Sequence, residues 1–135
     1  MQSQVLIVEA QEKLGLLWQK FLIQQGFDVD LAVNQPEAIE KLQFHSWDVL
    51  VIDLVMPNAS ALAISDFASY KNPDISIIVV SASSFFSDGS IFDILPNARG
   101  FMNQPVEPDD LAAVVDHCSK TANHAHAVPA SLLQD

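Results

Sequence analysis

The stretch Asp48-Val49-Leu50-Val51-Ile52-Asp53-Leu54-Val55-Met56-Pro57 constrains this chain more than any other. An unbroken apolar run leads into the carboxylate of Asp53, and a short apolar loop closed by Pro57 follows. A strand without polar alternation is covered on both faces, which places it in the middle of a parallel sheet. Asp53 then stands at the carboxyl end of that strand, the edge of an open α/β sheet where ligands and chemistry collect.

The rest of the chain supplies partners for such a strand. Gln4-Val5-Leu6-Ile7-Val8 is a second branched apolar run ending at an acid, Glu9, which puts Glu9 in the same kind of place as Asp53. Leu14, Leu17, Trp18, Phe21 and Leu22 recur at helical spacing from about Glu12 to Gln25, and Gly26 supplies a stop. Phe27 to Val33 alternates and then turns apolar, as an edge-side strand does. Asn34 can cap a helix with Pro36 in its first turn and Ala38, Ile39 and Leu42 facing inward. Ser60 to Tyr70 is helix-compatible, and Asn72-Pro73-Asp74 breaks it. Ile75 to Ser81 is another buried strand, ending in a hydroxyl.

The stretch Ala82 to Pro96, with its serines and Gly89, takes a weakly patterned fourth helix. Arg99 to Asn103 is a brief fifth strand ended by Gln104-Pro105, a bond that the sequence leaves open to cis or trans. Pro108 opens a last helix, with Leu111, Val114, Val115 and Cys118 at core spacing. A domain over residues 1–121 and a tail or truncated linker over 122–135 follow. Strands alternating with helices give a five-stranded parallel sheet layered on both faces. Its carboxyl edge gathers Glu9, Asp53, Ser81 and Gln104 in one cleft.

Composition excludes several classes. The 135 residues, half of them hydrophobic, suit one compact domain. The net charge of −11 would repel a phosphate backbone, which argues against direct nucleic-acid binding. No stretch approaches the roughly 18 uninterrupted apolar residues of a membrane span, and Met1-Gln2-Ser3-Gln4 carries no basic leader, so a cytoplasmic location is expected. The lone Cys118 forbids an internal disulfide and falls at a core position. His124 and His126 lack further ligands for a metal site, and the acidic run Glu107, Asp109, Asp110 suits the positive end of the last helix.

From about Val5 to Lys120 the chain resembles the response-regulator receiver domains of two-component signalling. The resemblance lies in Val5-Leu6-Ile7-Val8 followed by Glu9, in the Asp53-x-x-Met56-Pro57 block, in Ser81-Ala82, and in Phe101-Met102-Asn103-Gln104-Pro105. It implies a flavodoxin-like (βα)5 three-layer sandwich with strand order 2-1-3-4-5. It further implies a phosphoacceptor at Asp53, switch residues at Ser81 and Phe101, and Mg²⁺ held by Glu9, Asp53 and the Val55 backbone carbonyl. The implied partners are a sensor histidine kinase or phosphotransfer protein and a downstream protein, with homodimerisation through the face of the fourth helix, fifth strand and fifth helix. At most it implies self-phosphorylation from a phosphodonor, rather than an enzyme.

Two positions depart from the family. The second acid after the first strand is Ala10, and the lysine after the fifth strand is Gln104. Mg²⁺ demands near-octahedral oxygen coordination, so losing a directly bound acid implies weak binding and slow phosphorylation. Three acids and one lysine carry −2, and two acids with no lysine also carry −2, so the losses balance in charge though not in geometry. The alternative is a pseudo-receiver, an interaction module that acts without phosphorylation. A phosphatase of the haloacid-dehalogenase type would want a second aspartate where Val55 stands.

Overall fold

The computed structural model describes residues 2–82 and 95–127, those from 121 onward by backbone alone. Five strands form one parallel sheet: β1 (Gln4–Val8), β2 (Asp28–Ala32), β3 (Val49–Asp53), β4 (Ser76–Ser81) and β5 (Ala98–Asn103), in the order β2-β1-β3-β4-β5. The helices among the described residues are α1 (Glu12–Gln24), α2 (Gln35–Phe44), α3 (Ala61–Lys71) and α4 (Pro108–Ala127). The segment expected to hold a helix between β4 and β5 lies for the most part outside the described residues.

The period of two along each central strand sorts the core into two layers. Val5, Ile7, Val49, Val51, Ile78 and Val80 point to one face, where Trp18 and Leu22 of α1 and Leu111 and Val115 of α4 cover them. Leu6, Val8, Leu50, Ile52, Ile77 and Val79 point to the other, under Ala38 and Leu42 of α2 and Ile64 and Ala68 of α3. The expected burial of β3 on both faces is observed: every residue from Val49 to Asp53 is buried.

Local chemistry fixes the element ends. Asn34 caps α2 by accepting the Glu37 amide at 2.9 Å, and Pro36 occupies the first turn. Ser60 caps α3 through the Ala63 amide at 3.1 Å. Gly26 follows α1 at φ 101°, a backbone conformation that only glycine adopts without strain. Hydroxyls at the opposite, amino edge of the sheet secure α4: Ser3 contacts Ser119 through their Oγ atoms, and Ser76 Oγ donates to the Cys118 carbonyl at 3.4 Å. Cys118 is buried as expected, and burial pushes its thiol up. The Gln104-Pro105 bond is cis. Helix α4 continues through Ala127, past the point near Thr121 where the sequence suggests a tail. Among the described residues no helix is long and apolar enough to cross a membrane.

Candidate functional site

Parallel register brings the strand ends together. Val8 pairs with Ile52, so Glu9 and Asp53 stand abreast one step beyond the β1–β3 ladder. Asp53 pairs with Val80 and Ser81 with Asn103, while the Gln104 amide donates to the Ser81 carbonyl at 2.9 Å. The four residues expected to converge at the carboxyl edge therefore do so. Glu9, Asp53 and Ser81 are buried, and Gln104 is half-buried.

The two carboxyls differ in how they are held. Asp53 Oδ1 accepts the Val55 amide at 3.1 Å, which ties the acid to the loop that follows it, and the Leu54 amide donates to the Val80 carbonyl at 2.8 Å. Glu9 Oε2 accepts the Gln11 amide at 3.0 Å. Its other oxygen, Oε1, is buried with no hydrogen-bond partner among the described residues. Burial is the largest influence on Glu9 and the neighbouring Asp53 carboxyl adds to it, so that its pKa rises to about 7 against the opposing pull of the Gln11 amide. A buried, unpartnered carboxylate oxygen beside a second acid is costly unless a proton or a cation joins it.

The other expected positions follow the sheet. Phe101 lies opposite Val79 on β5, half-buried and packed on the α2–α3 side of the core. Val55 is exposed in the loop after Asp53. The Ala10 methyl packs against the core where the family places an acid. Of the other residues near the strand ends, Gln11 contributes its backbone N–H to Glu9, whereas Glu12 and Asn103 are exposed.

Gly15 is the contributor that apolar patterning misses. A Cβ there would sit 2.6 Å from Leu31 Cδ1, so the missing side chain lets α1 lie close over Leu31 of β2, while at 3.5 Å from Glu9 Cβ it would make only an ordinary contact with the acid. The visible signal is a glycine inside a helical repeat, a placement that costs about 1 kcal/mol against alanine unless packing requires it.

The donor set suits a small hard cation only thinly. No group of three or more His, Cys, Asp or Glu side chains gathers among the described residues, which leaves the two carboxylates and the Val55 carbonyl. The unpartnered Glu9 Oε1 is the feature that such an ion would satisfy.

Comparison with known proteins agrees with this geometry. Residues 5–116 match the family described as response regulator receiver domain. The chain is 31% identical over 133 residues to the transcriptional regulatory protein KdpE of Staphylococcus aureus, covering 95% of this chain and 56% of KdpE, so it spans about half the length of that relative. Among solved structures, the signal receiver domain of a LuxO repressor protein from Vibrio parahaemolyticus superposes with a TM-score of 0.84 at 21% identity, covering 96% of this chain and 98% of that one. The response regulator TrrA from Thermotoga maritima, solved in complex with Mg²⁺ and BeF, superposes with a TM-score of 0.74 at 24% identity over 87% of this chain and 99% of that one. With the family matched across both acids, the loop between β3 and α3 and the first turns of α4, the chain belongs to the response regulator receiver domains.

Proposed function

We propose that this domain is a phosphoacceptor switch in a two-component phosphorelay, with Asp53 as the acceptor. The observation that carries the reading is the pairing of Glu9 and Asp53 as adjacent buried acids at the carboxyl edge of the sheet. A carboxylate oxygen of Asp53 attacks the phosphorus of a phosphohistidine on a kinase or phosphotransfer protein. The P–N bond breaks, the imidazole leaves, and an acyl phosphate forms. Glu9, Asp53 and the Val55 carbonyl would hold Mg²⁺, which supplies charge neutralisation of the phosphoryl oxygens.

The residues of the chain do the rest. The Val55 amide fixes the Asp53 carboxyl, and Ser81 ends the neighbouring strand, from which its hydroxyl would meet the phosphoryl group. Phe101 then repacks and carries the change to a downstream protein. Gln104 offers a neutral hydrogen bond where the family has a cation, which slows transfer. The test is intact mass after incubation with acetyl phosphate and Mg²⁺. Wild type should gain one phosphoryl group and Asp53→Asn none; an unmodified wild type sinks this reading.

A second reading is a pseudo-receiver that binds its partner without phosphorylation. The observation favouring it is the half-buried Ala10 methyl packed against the core at the position of a metal-binding acid. It requires Asp53→Asn to leave signalling intact in cells, and loss of output from that folded variant would exclude it.

A further inference from the structure

Strand β2 ends the sheet on one side, so one of its two polar edges meets no neighbouring strand. The Asp28 amide donates to the Ser3 carbonyl, and the Ala32 carbonyl accepts the Glu9 amide, both at 3.0 Å. Residues of that parity bond to β1, which leaves Val29, Leu31 and, just past the strand, Val33 with their N–H and C=O groups turned outward. Such a row is a template on which another strand can extend the sheet. The surroundings would receive one: a groove of about 370 Å³ runs beside this edge between Leu31 and the exposed Phe44.

Three side chains from three different elements occupy that row. Gln19 of α1 donates its Nε2 to the Val29 carbonyl at 3.0 Å. Asp30 of β2 itself folds back, and its Oδ1 accepts the Leu31 amide at 2.8 Å. Glu37 of α2 accepts the Val33 amide through Oε1 at 3.0 Å, a bond that also closes the first turn of that helix. Lys41 pins the second of these by pairing with Asp30 Oδ2 at 2.8 Å. Against the opposing effect of burial, the Lys41 ammonium and the Leu31 amide hold the Asp30 carboxyl below its ordinary pKa, so the acceptor stays ionised at neutral pH.

We propose that Gln19, Asp30 and Glu37 guard the open edge of β2, keeping the β2 strand of a second copy of this chain from pairing there and extending the sheet. An arriving strand needs the Val29 carbonyl and the Leu31 and Val33 amides for its own ladder. It can take them only by breaking three bonds already made, and it must then bury the displaced carboxylates of Asp30 and Glu37 or push them aside. Lys41 raises that barrier, because moving Asp30 also breaks the ion pair. Like charge on Asp28 and Asp30 of two copies opposes pairing as well, but screening over about 8 Å at physiological salt weakens repulsion between exposed charges, whereas an occupied N–H or C=O is blocked at any ionic strength. The guard involves neither Glu9 nor Asp53 and stands whether or not the domain is phosphorylated.

Amide exchange followed residue by residue by NMR, with sedimentation velocity on the same samples, tests the guard on the full chain. In the variant Gln19→Ala with Asp30→Ala and Glu37→Ala, the Leu31 and Val33 amides should exchange at least about tenfold faster than in wild type at micromolar concentration. At millimolar concentration they should slow again as strands pair, with association beyond that of wild type. Asp30→Asn with Glu37→Gln removes the same two charges but keeps an oxygen acceptor at each position, and it should match wild type in both measurements. Circular dichroism checks folding; if the triple variant does not fold, Gln19→Ala with Glu37→Ala leaves the Asp30–Lys41 pair intact and is read at the Val33 amide against Glu37→Gln. Unchanged exchange in the uncapped variant, no association beyond wild type, or equal association in the acceptor-keeping variant overturns the proposal.

Discussion

Glu9 and Asp53 end adjacent parallel strands in register, and the carboxyl of Glu9 is held at a pKa of about 7 by its burial and by the acid beside it. Placing two acids on neighbouring strand ends makes the site prefer an added positive charge, whether a proton or a metal ion.

That preference sets a pH dependence of stability. The pKa of Glu9 lies near 7 when folded, against an ordinary 4.5, so between those values the folded state binds more protons than the unfolded chain. Stability from this group is fully present below about pH 4.5 and is lost as pH rises toward 7, by something on the order of 3 kcal/mol. Urea melts in EDTA at pH 5 and pH 8 should show this loss in wild type, and Glu9→Gln should remove most of it. Equal pH dependence in the two proteins would contradict the placement of Glu9.

Restoring the family's missing charges should restore its chemistry. Ala10→Asp adds a carboxylate beside Glu9 and should raise Mg²⁺ affinity by about tenfold or more in calorimetry. Because the alanine methyl packs on the core, the same change should cost about 1 kcal/mol of stability. Combined with Gln104→Lys, it should speed phosphoryl incorporation from acetyl phosphate by about tenfold or more, read as the time course of mass gain.

The central strand should be sensitive to cavities. Leu50 is completely buried between β1 and β4, and Leu50→Ala should cost about 2–5 kcal/mol in urea unfolding. Leu62→Ala, on the outer side of α3, should change stability by no more than about 0.5 kcal/mol.

The start of α2 depends on one side chain. Asn34→Ala removes the acceptor for the Glu37 amide and should cost about 1 kcal/mol, whereas Asn34→Asp keeps the acceptor and most of the stability. Thermal melts of the two variants distinguish a capping role from a general effect of the substitution.

Strand and helix spans and the placement of Glu9, Asp53, Ser81 and Gln104 at strand ends were legible because period-two and period-3.6 patterns are local and parallel strands align their carboxyl ends, whereas the strand order followed only from the resemblance to receiver domains. Helical spacing does not by itself say how deep a residue lies: Leu17 recurs with Leu14, Trp18 and Phe21, yet it is more than half exposed. An apolar residue at the border of a helical stripe faces inward only if another element covers it, and none among the described residues covers that side of α1.

The sequence by itself determined which residues terminate the strands and therefore which side chains share the site. Tertiary structure decided the surroundings of those side chains: a Glu9 buried with one oxygen unpartnered among the described residues, a Gln11 backbone N–H turned toward it, an Ala10 methyl against the core and an exposed apolar stripe on α1. The division has a physical cause. Hydrophobic periodicity is written within a dozen residues, whereas solvation, pKa and exposure depend on which distant segments arrive beside a group once the chain has packed.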